Sequence, residues 1–186
     1  MKRLIRPLLL LSLAISGSAQ PAFAQKSYAL GVGGGSAIPV GRLKDVQNAG
    51  FNGIVSLILG GAEMPIGIRI DGIYNRFPGS GAISGASGTA NTASFRVAGV
   101  LGNLIFAFPG TTTKAYAITG GGFYYTKLDA AGAKSERDLG LNAGAGLTFG
   151  LGPIASFVEG RYHFVRRPPA KGGVIHFVPI TLGIMF

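Results

Sequence analysis

The chain has 186 residues, 32 of them glycine, with no cysteine and no tryptophan. Hydrophobic residues make up 47% and charged residues 13%, with 17 Lys and Arg against 7 Asp and Glu. That is too little charge for an ordinary soluble surface and too much apolar content for a disordered chain. The glycines keep no period of three, which excludes collagen, and zero cysteine removes disulfide frameworks, thiolate zinc sites and cysteine nucleophiles.

In chain order, residues 1–24 read as a cleaved secretory signal peptide. Lys2, Arg3 and Arg6 precede an apolar run from Leu8 to Ile15, and Ala22-Phe23-Ala24 forms a small-residue cleavage pattern before Gln25. The run is too short to span a bilayer as a helix. The remaining domain is expected over 25–186.

That domain reads as eight strands, near 27–37, 50–60, 64–76, 94–108, 114–126, 138–150, 154–166 and 174–186. The critical case is Leu139 to Val158, an uncharged stretch that a hydropathy window alone would score as a transmembrane helix. Its apolar residues Leu139, Leu141, Ala143, Ala145, Leu147, Phe149 and Leu151 fall on odd positions, and only Gly, Asn and Thr fall between them. Period two makes it a strand. In the third strand Met64, Ile66, Ile68, Ile70 and Tyr74 oppose Arg69, Asp71 and Asn75. In the seventh, Ile154, Val158, Tyr162 and Phe164 oppose Glu159, Arg161 and His163. In the last, Val178, Ile180, Leu182, Ile184 and Phe186 share a face. Glycine triplets blur the first and fifth strands, and the second and fourth are mixed.

Connections alternate strictly, long at 38–49, 77–93, 127–137 and 166–173 and short at 60–63, 109–113 and 150–153. That order suits an all-β, eight-stranded antiparallel up-and-down transmembrane barrel with short periplasmic turns and long extracellular loops. Both mature termini then face the periplasm. A soluble sandwich would place its apolar face inward under a charged exterior. Here the face opposite the apolar one is mostly Gly, Asn, Thr and Ser, which suits a narrow lumen inside a lipid-facing wall. Open edges cannot exist in hydrocarbon, so the sheet must close. Tyr28, Tyr74, Tyr116, Tyr124 and Tyr162, near strand ends, are expected in aromatic girdles.

The chain resembles the small eight-stranded outer-membrane β-barrels of the OmpA/OmpX type over essentially its whole mature length. The resemblance is carried by Gly33-Gly34-Gly35-Ser36-Ala37-Ile38-Pro39-Val40-Gly41, by Ile68 to Phe77, and by Ala115 to Phe123. The terminal pattern Val178, Ile180, Leu182, Ile184 and Phe186 is similar to the signal such barrels present to the barrel-assembly machinery. It departs in having Thr181 where these signals often carry Gly; Gly183 is the substitute. No periplasmic peptidoglycan-binding domain is expected after Phe186. The resemblance implies an integral protein of the bacterial outer membrane.

For chemistry, Gly31 to Ser36 lacks the following helix of a dinucleotide fingerprint and the Gly-Lys-Ser/Thr of a P-loop. Arg69, Asp71, Glu159, Arg161 and His163 all face the lumen by parity, at similar heights above the short turns. Buried charges need partners, so an ionic cluster across the lumen is expected, with a gate or proton relay as the functional alternative. His163 and His176 stand in no recognisable Ser/His arrangement, no candidate metal ligands show a familiar spacing beyond Glu159 and His163, and no cofactor is expected. The expected role is non-catalytic, structural or surface-interacting. The alternative is a narrow pore or carrier for small apolar molecules, and an outer-membrane lipid-modifying enzyme comes third. Basic residues Arg42, Lys44, Lys127, Lys134, Arg137, Arg166, Arg167 and Lys171 map onto three of the four long loops. Without a single stripe and interleaved aromatics they do not suit nucleic acid. They suit lipopolysaccharide or other anionic outer-membrane lipid headgroups, or are simply solvated.

Overall fold

A computed structural model describes residues 28–60, 65–81, 83–84, 89–90, 93–151, 154–169 and 173–186. The expected signal peptide, Met64 and Lys171 lie outside them. Eight long strands close into one antiparallel barrel. They are β1 (Tyr28–Val40), β2 (Gly50–Leu59), β3 (Ile66–Phe77), β6 (Phe95–Ala107), β7 (Thr113–Leu128), β8 (Glu136–Leu151), β9 (Ile154–Arg166) and β10 (Ile175–Met185). Two further strands, β4 (Ile83–Ser84) and β5 (Thr89–Ala90), pair with each other inside the β3–β6 connection, where the sequence suggests only a loop. The order around the barrel is β1-β10-β9-β8-β7-β6-β3-β2, so each strand pairs with its neighbours in the chain and β10 returns to β1. Among the described residues no helix is long and apolar enough to cross a membrane.

Closure satisfies the backbone of the terminal strands. Leu30 and Phe186 exchange a reciprocal pair of backbone hydrogen bonds at 2.9 Å, and Gly31↔Met185 through Val40↔His176 continue the ladder. The long-loop end is shaped by a short 3₁₀ turn at Gly41–Asp45, entered through Gly41 at φ +58, a left-handed conformation that glycine alone adopts freely.

Strand alternation sorts the side chains. Ile66, Ile68, Ile70 and Tyr74 point outward from β3, while Arg69, Asp71, Ile73, Asn75 and Phe77 are buried inside. Leu139, Leu141 and Leu147 on β8, and Ile180, Leu182 and Ile184 on β10, are likewise exposed on the outer wall. An apolar exterior around a sheet without edges is the arrangement hydrocarbon requires.

Two expectations are corrected. Of the five girdle tyrosines, Tyr28, Tyr74 and Tyr162 are exposed on the outside, but Tyr116 and Tyr124 are buried in the lumen. They occupy even positions of β7, and on this strand the even face is inward. The lumen is also not uniformly small and polar. Towards the long loops it is filled by Phe77, Phe95, Val97, Val165, Ile175 and Phe177. There the barrel packs like the interior of a soluble protein.

Candidate functional site: an ionic ring across the lumen

β3 and β9 lie four strands apart either way round the barrel, directly across the lumen. Both run from the short-turn end towards the long loops. β3 carries Arg69 and, one luminal position further on, Asp71; β9 carries Glu159 and then Arg161. The sequences Arg-x-Asp and Glu-x-Arg therefore present opposite charges to each other at both levels.

The side chains meet. Nη2 of Arg69 donates to both carboxylate oxygens of Glu159, at 2.9 and 2.8 Å. Nη1 of Arg161 donates to Oδ2 of Asp71 at 2.8 Å. Within each strand, Arg69 Nε lies 3.0 Å from Asp71 Oδ1, and Arg161 Nε donates to Glu159 Oε1 at 3.0 Å. Two guanidinium groups and two carboxylates thus form a closed, electrically neutral ring, and all four residues are at most 3% exposed.

Neighbouring strands saturate what the ring leaves open. Ser56 on β2 donates to Asp71 at 2.6 Å, and Asn103 on β6 donates to Asp71 at 2.8 Å. Tyr116 on β7 donates its hydroxyl to Glu159 at 2.8 Å. Asn142 on β8 holds Asn103 by donating to its Oδ1 at 2.9 Å. Buried charge is tolerated when it is paired and hydrogen-bonded, and Ser56, Asn103 and Tyr116 add such bonds to the pairing within the ring.

The glycine content now has a local reason. Tyr116 lies beside Gly146 across the β7–β8 ladder, and a Cβ at Gly146 would collide with the Tyr116 ring. A Cβ at Gly140 would fall 2.6 Å from the ring of Tyr124, and one at Gly144 3.0 Å from Cγ of Arg161. The small luminal face of β8 is the space that the large side chains of β7 and β9 fill.

His163 stands apart from the ring. It is buried, one luminal position above Arg161, with Nδ1 2.8 Å from the Tyr124 hydroxyl. Its ring stacks on Phe177 at 4.7 Å and 7°, and Phe177 meets Phe77 edge-on at 5.6 Å. A second, aromatic layer therefore lies above the ionic one. Towards the short turns the lumen opens into a cavity of about 320 Å³ that ends on Arg69 and Tyr116. His176 faces outward, 2.6 Å from the Tyr162 hydroxyl.

Sequence reasoning missed Ser56, Asn103, Tyr116 and Asn142. Each sits on the luminal face of its strand, so parity alone admits them. Which of them reach the ring depends on the shear between strands, which no single strand reveals. In the terminal pattern, Ile180, Leu182, Ile184 and Phe186 are exposed on the outer wall and Val178 is partly buried there. Thr181 points inward and donates to Asn52 Oδ1 at 3.1 Å, while a Cβ at Gly183 would collide with the ring of Phe157.

No family model and no curated protein matches the chain. Solved structures do. Neisserial surface protein A superposes with a TM-score of 0.63 at 14% identity, covering 86% of this chain and 96% of that one. A major outer membrane protein from Thermus thermophilus gives 0.56 at 11% identity, covering 86% and 98%. Ail, the attachment invasion locus protein of Yersinia pestis, gives 0.50 at 16% identity, covering 86% and 97%. With the closed sheet and the apolar exterior, these similarities give the chain the fold of the small eight-stranded outer-membrane β-barrels.

Proposed function

We propose that the protein is a non-catalytic, integral barrel of the bacterial outer membrane, closed to ions and solutes, that acts through its outer wall and long loops. The observation that carries this reading is the Arg69–Asp71–Arg161–Glu159 ring joining opposite walls of the lumen. An eight-stranded barrel has an interior just wide enough for side chains to fill, and here an ionic layer and an aromatic layer fill it in succession. The non-catalytic reading is supported by how the histidines are engaged. His163 is buried against Tyr124 and Phe177, and His176 meets Tyr162 on the outer wall. The short connections at one end and the long ones at the other favour periplasmic termini and extracellular loops.

The runner-up, a narrow pore or carrier, draws on the cavity at the short-turn end, but a path onward from it would have to pass both layers. Liposomes holding a trapped small dye decide between them. Vesicles carrying the refolded protein should retain the dye as long as protein-free vesicles do. Release that scales with the amount of protein would favour the pore.

A further inference from the structure

The basic residues assigned to long loops by sequence are in part strand residues. Lys127 is the last residue but one of β7, Arg137 the second of β8 and Arg166 the last of β9. On the outward face of the eight barrel strands, every Lys, Arg, Asp or Glu among the described residues is basic: Arg76, Arg96, Lys127, Arg137 and Arg166. All five stand at the long-loop end; at the short-turn end of the barrel strands Lys114 lies on the inward side, against the cavity there. Three of them form a row, because Arg76 pairs with Arg96 and Arg96 with Lys127 across adjacent ladders. Side chains so opposed are about 5 Å apart at Cβ, and like charges in that position repel. Asp129 brings a carboxylate to two of them. Asp129 accepts from Arg96 Nε at 2.6 Å and lies 3.8 Å from Arg76 Nη2. The row carries three cations, Asp129 meets Arg76 and Arg96, and these two remain 48% and 42% exposed, which leaves a positive seat.

Beneath this row the wall is hollow. The next outward row is Tyr74, Ala98 and Tyr125, in register with one another. The two tyrosines flank the small Ala98, and below them come Gly72 and Val100. A groove of about 540 Å³ follows, with Gly53, Gly72 and Ala98 on its floor and Val55, Val100 and the tyrosines at its sides. A Cβ added at Gly53 would meet nothing within 4 Å, so that position is open to the surroundings. A cationic seat over aromatic flanks and an apolar groove has the polarity of a phospholipid, phosphate uppermost and acyl chain below.

We propose that Arg76, Arg96 and Lys127 bind the phosphate of one anionic lipid of the leaflet facing the long loops, with an acyl chain lying over Ala98 and Gly72. Guanidinium groups match phosphate oxygens in bidentate geometry, and basic residues at a bilayer surface attract anionic lipid. The groove gives the site its specificity, since scattered loop cations would hold headgroups without ordering a chain. This rests on the reading of the barrel as membrane-embedded.

The test is native mass spectrometry of the refolded full chain, titrated in micelles with phosphatidylglycerol, phosphatidylcholine or inorganic phosphate. One phosphatidylglycerol should be retained in preference to phosphatidylcholine, and inorganic phosphate should compete weakly. Arg96→Gln with Lys127→Gln should lower that affinity by about fivefold per cation. Asp129→Asn, which removes the competing carboxylate, should raise it. Ala98→Leu, or Gly72→Val should the first fail to fold, should weaken lipid retention by filling the groove while leaving the cations intact. Retention unchanged in the double variant, or lost instead on replacing Arg42, Lys44 and Lys134 in the loops, would overturn the site. Equal competition by inorganic phosphate would overturn the lipid assignment. A folded, bilayer-inserted protein with no preference for anionic lipid would sink this inference alone; failure to insert into any bilayer would sink the barrel reading with it.

Discussion

Replacing Glu159 with alanine would break the ring at a carboxylate that both arginines share. Glu159 accepts from Arg69 through both oxygens, from Arg161 and from the Tyr116 hydroxyl. Its removal leaves two guanidinium groups facing one carboxylate, a net positive charge in a site where all four members are at most 3% exposed. Losing one partner of a buried ionic group costs on the order of 3–5 kcal/mol, chiefly because the remaining charge is stranded. Glu159→Gln should cost nearly as much, since the amide restores shape but not charge and turns a donor towards Arg donors. Arg69→Ala should be costly for the opposite reason. The double variant lacking both Glu159 and Arg69 returns the ring to neutrality, so it should be more stable than the sum of the single effects by roughly 1–3 kcal/mol. Urea unfolding of the refolded protein in phospholipid vesicles, followed by heat-modifiable gel mobility, measures all four. Single variants within about 1 kcal/mol of the parent, or a double variant whose effects merely add, would refute the ring as a cooperative closure.

Gly146→Val would push the Tyr116 ring away from Glu159, and overpacking of this kind costs about 1–3 kcal/mol; the same urea titration reads it, and an unchanged midpoint would mean that Tyr116 repacks freely. An epitope placed beside Ser84 should be labelled on intact cells, because the β3–β6 connection belongs to the long-loop end; labelling only after permeabilisation would invert the topology. Phe186→Ser should reduce the amount of folded barrel in the membrane beyond what one exposed aromatic contact explains, if the terminal residues serve assembly. Unaltered folded yield would leave Val178 to Phe186 as ordinary lipid-facing alternation.

Strand parity was the most legible property of this sequence. Where one face is large and apolar and the other small, as over Leu139 to Leu151, period two identifies both the strand and its orientation. The same logic puts Arg69, Asp71, Glu159 and Arg161 on luminal faces. It fails where both faces are apolar. In β6, Phe95, Val97 and Leu101 point inward while Val100, Leu104 and Phe106 point outward, and composition cannot separate them. It fails again for Tyr116 and Tyr124, because tyrosine near a strand end suits both a girdle and a lumen. The deciding fact is that β8 places Gly146 opposite Tyr116 and Gly140 beside the Tyr124 ring, a relation between strands that is fixed only by register. For the same reason the row of Arg76, Arg96 and Lys127 is invisible in the chain, where the three are scattered over some fifty positions, and plain once the ladders align them.

The closed lumen is tested most directly by planar-bilayer recording of the refolded, heat-modifiable protein. Closure by the ionic ring and the aromatic layer predicts a baseline indistinguishable from the protein-free bilayer at any moderate voltage. It also predicts that steps appear, if at all, only in variants that break the ring. Stable, uniform conductance steps from the unaltered protein would contradict it.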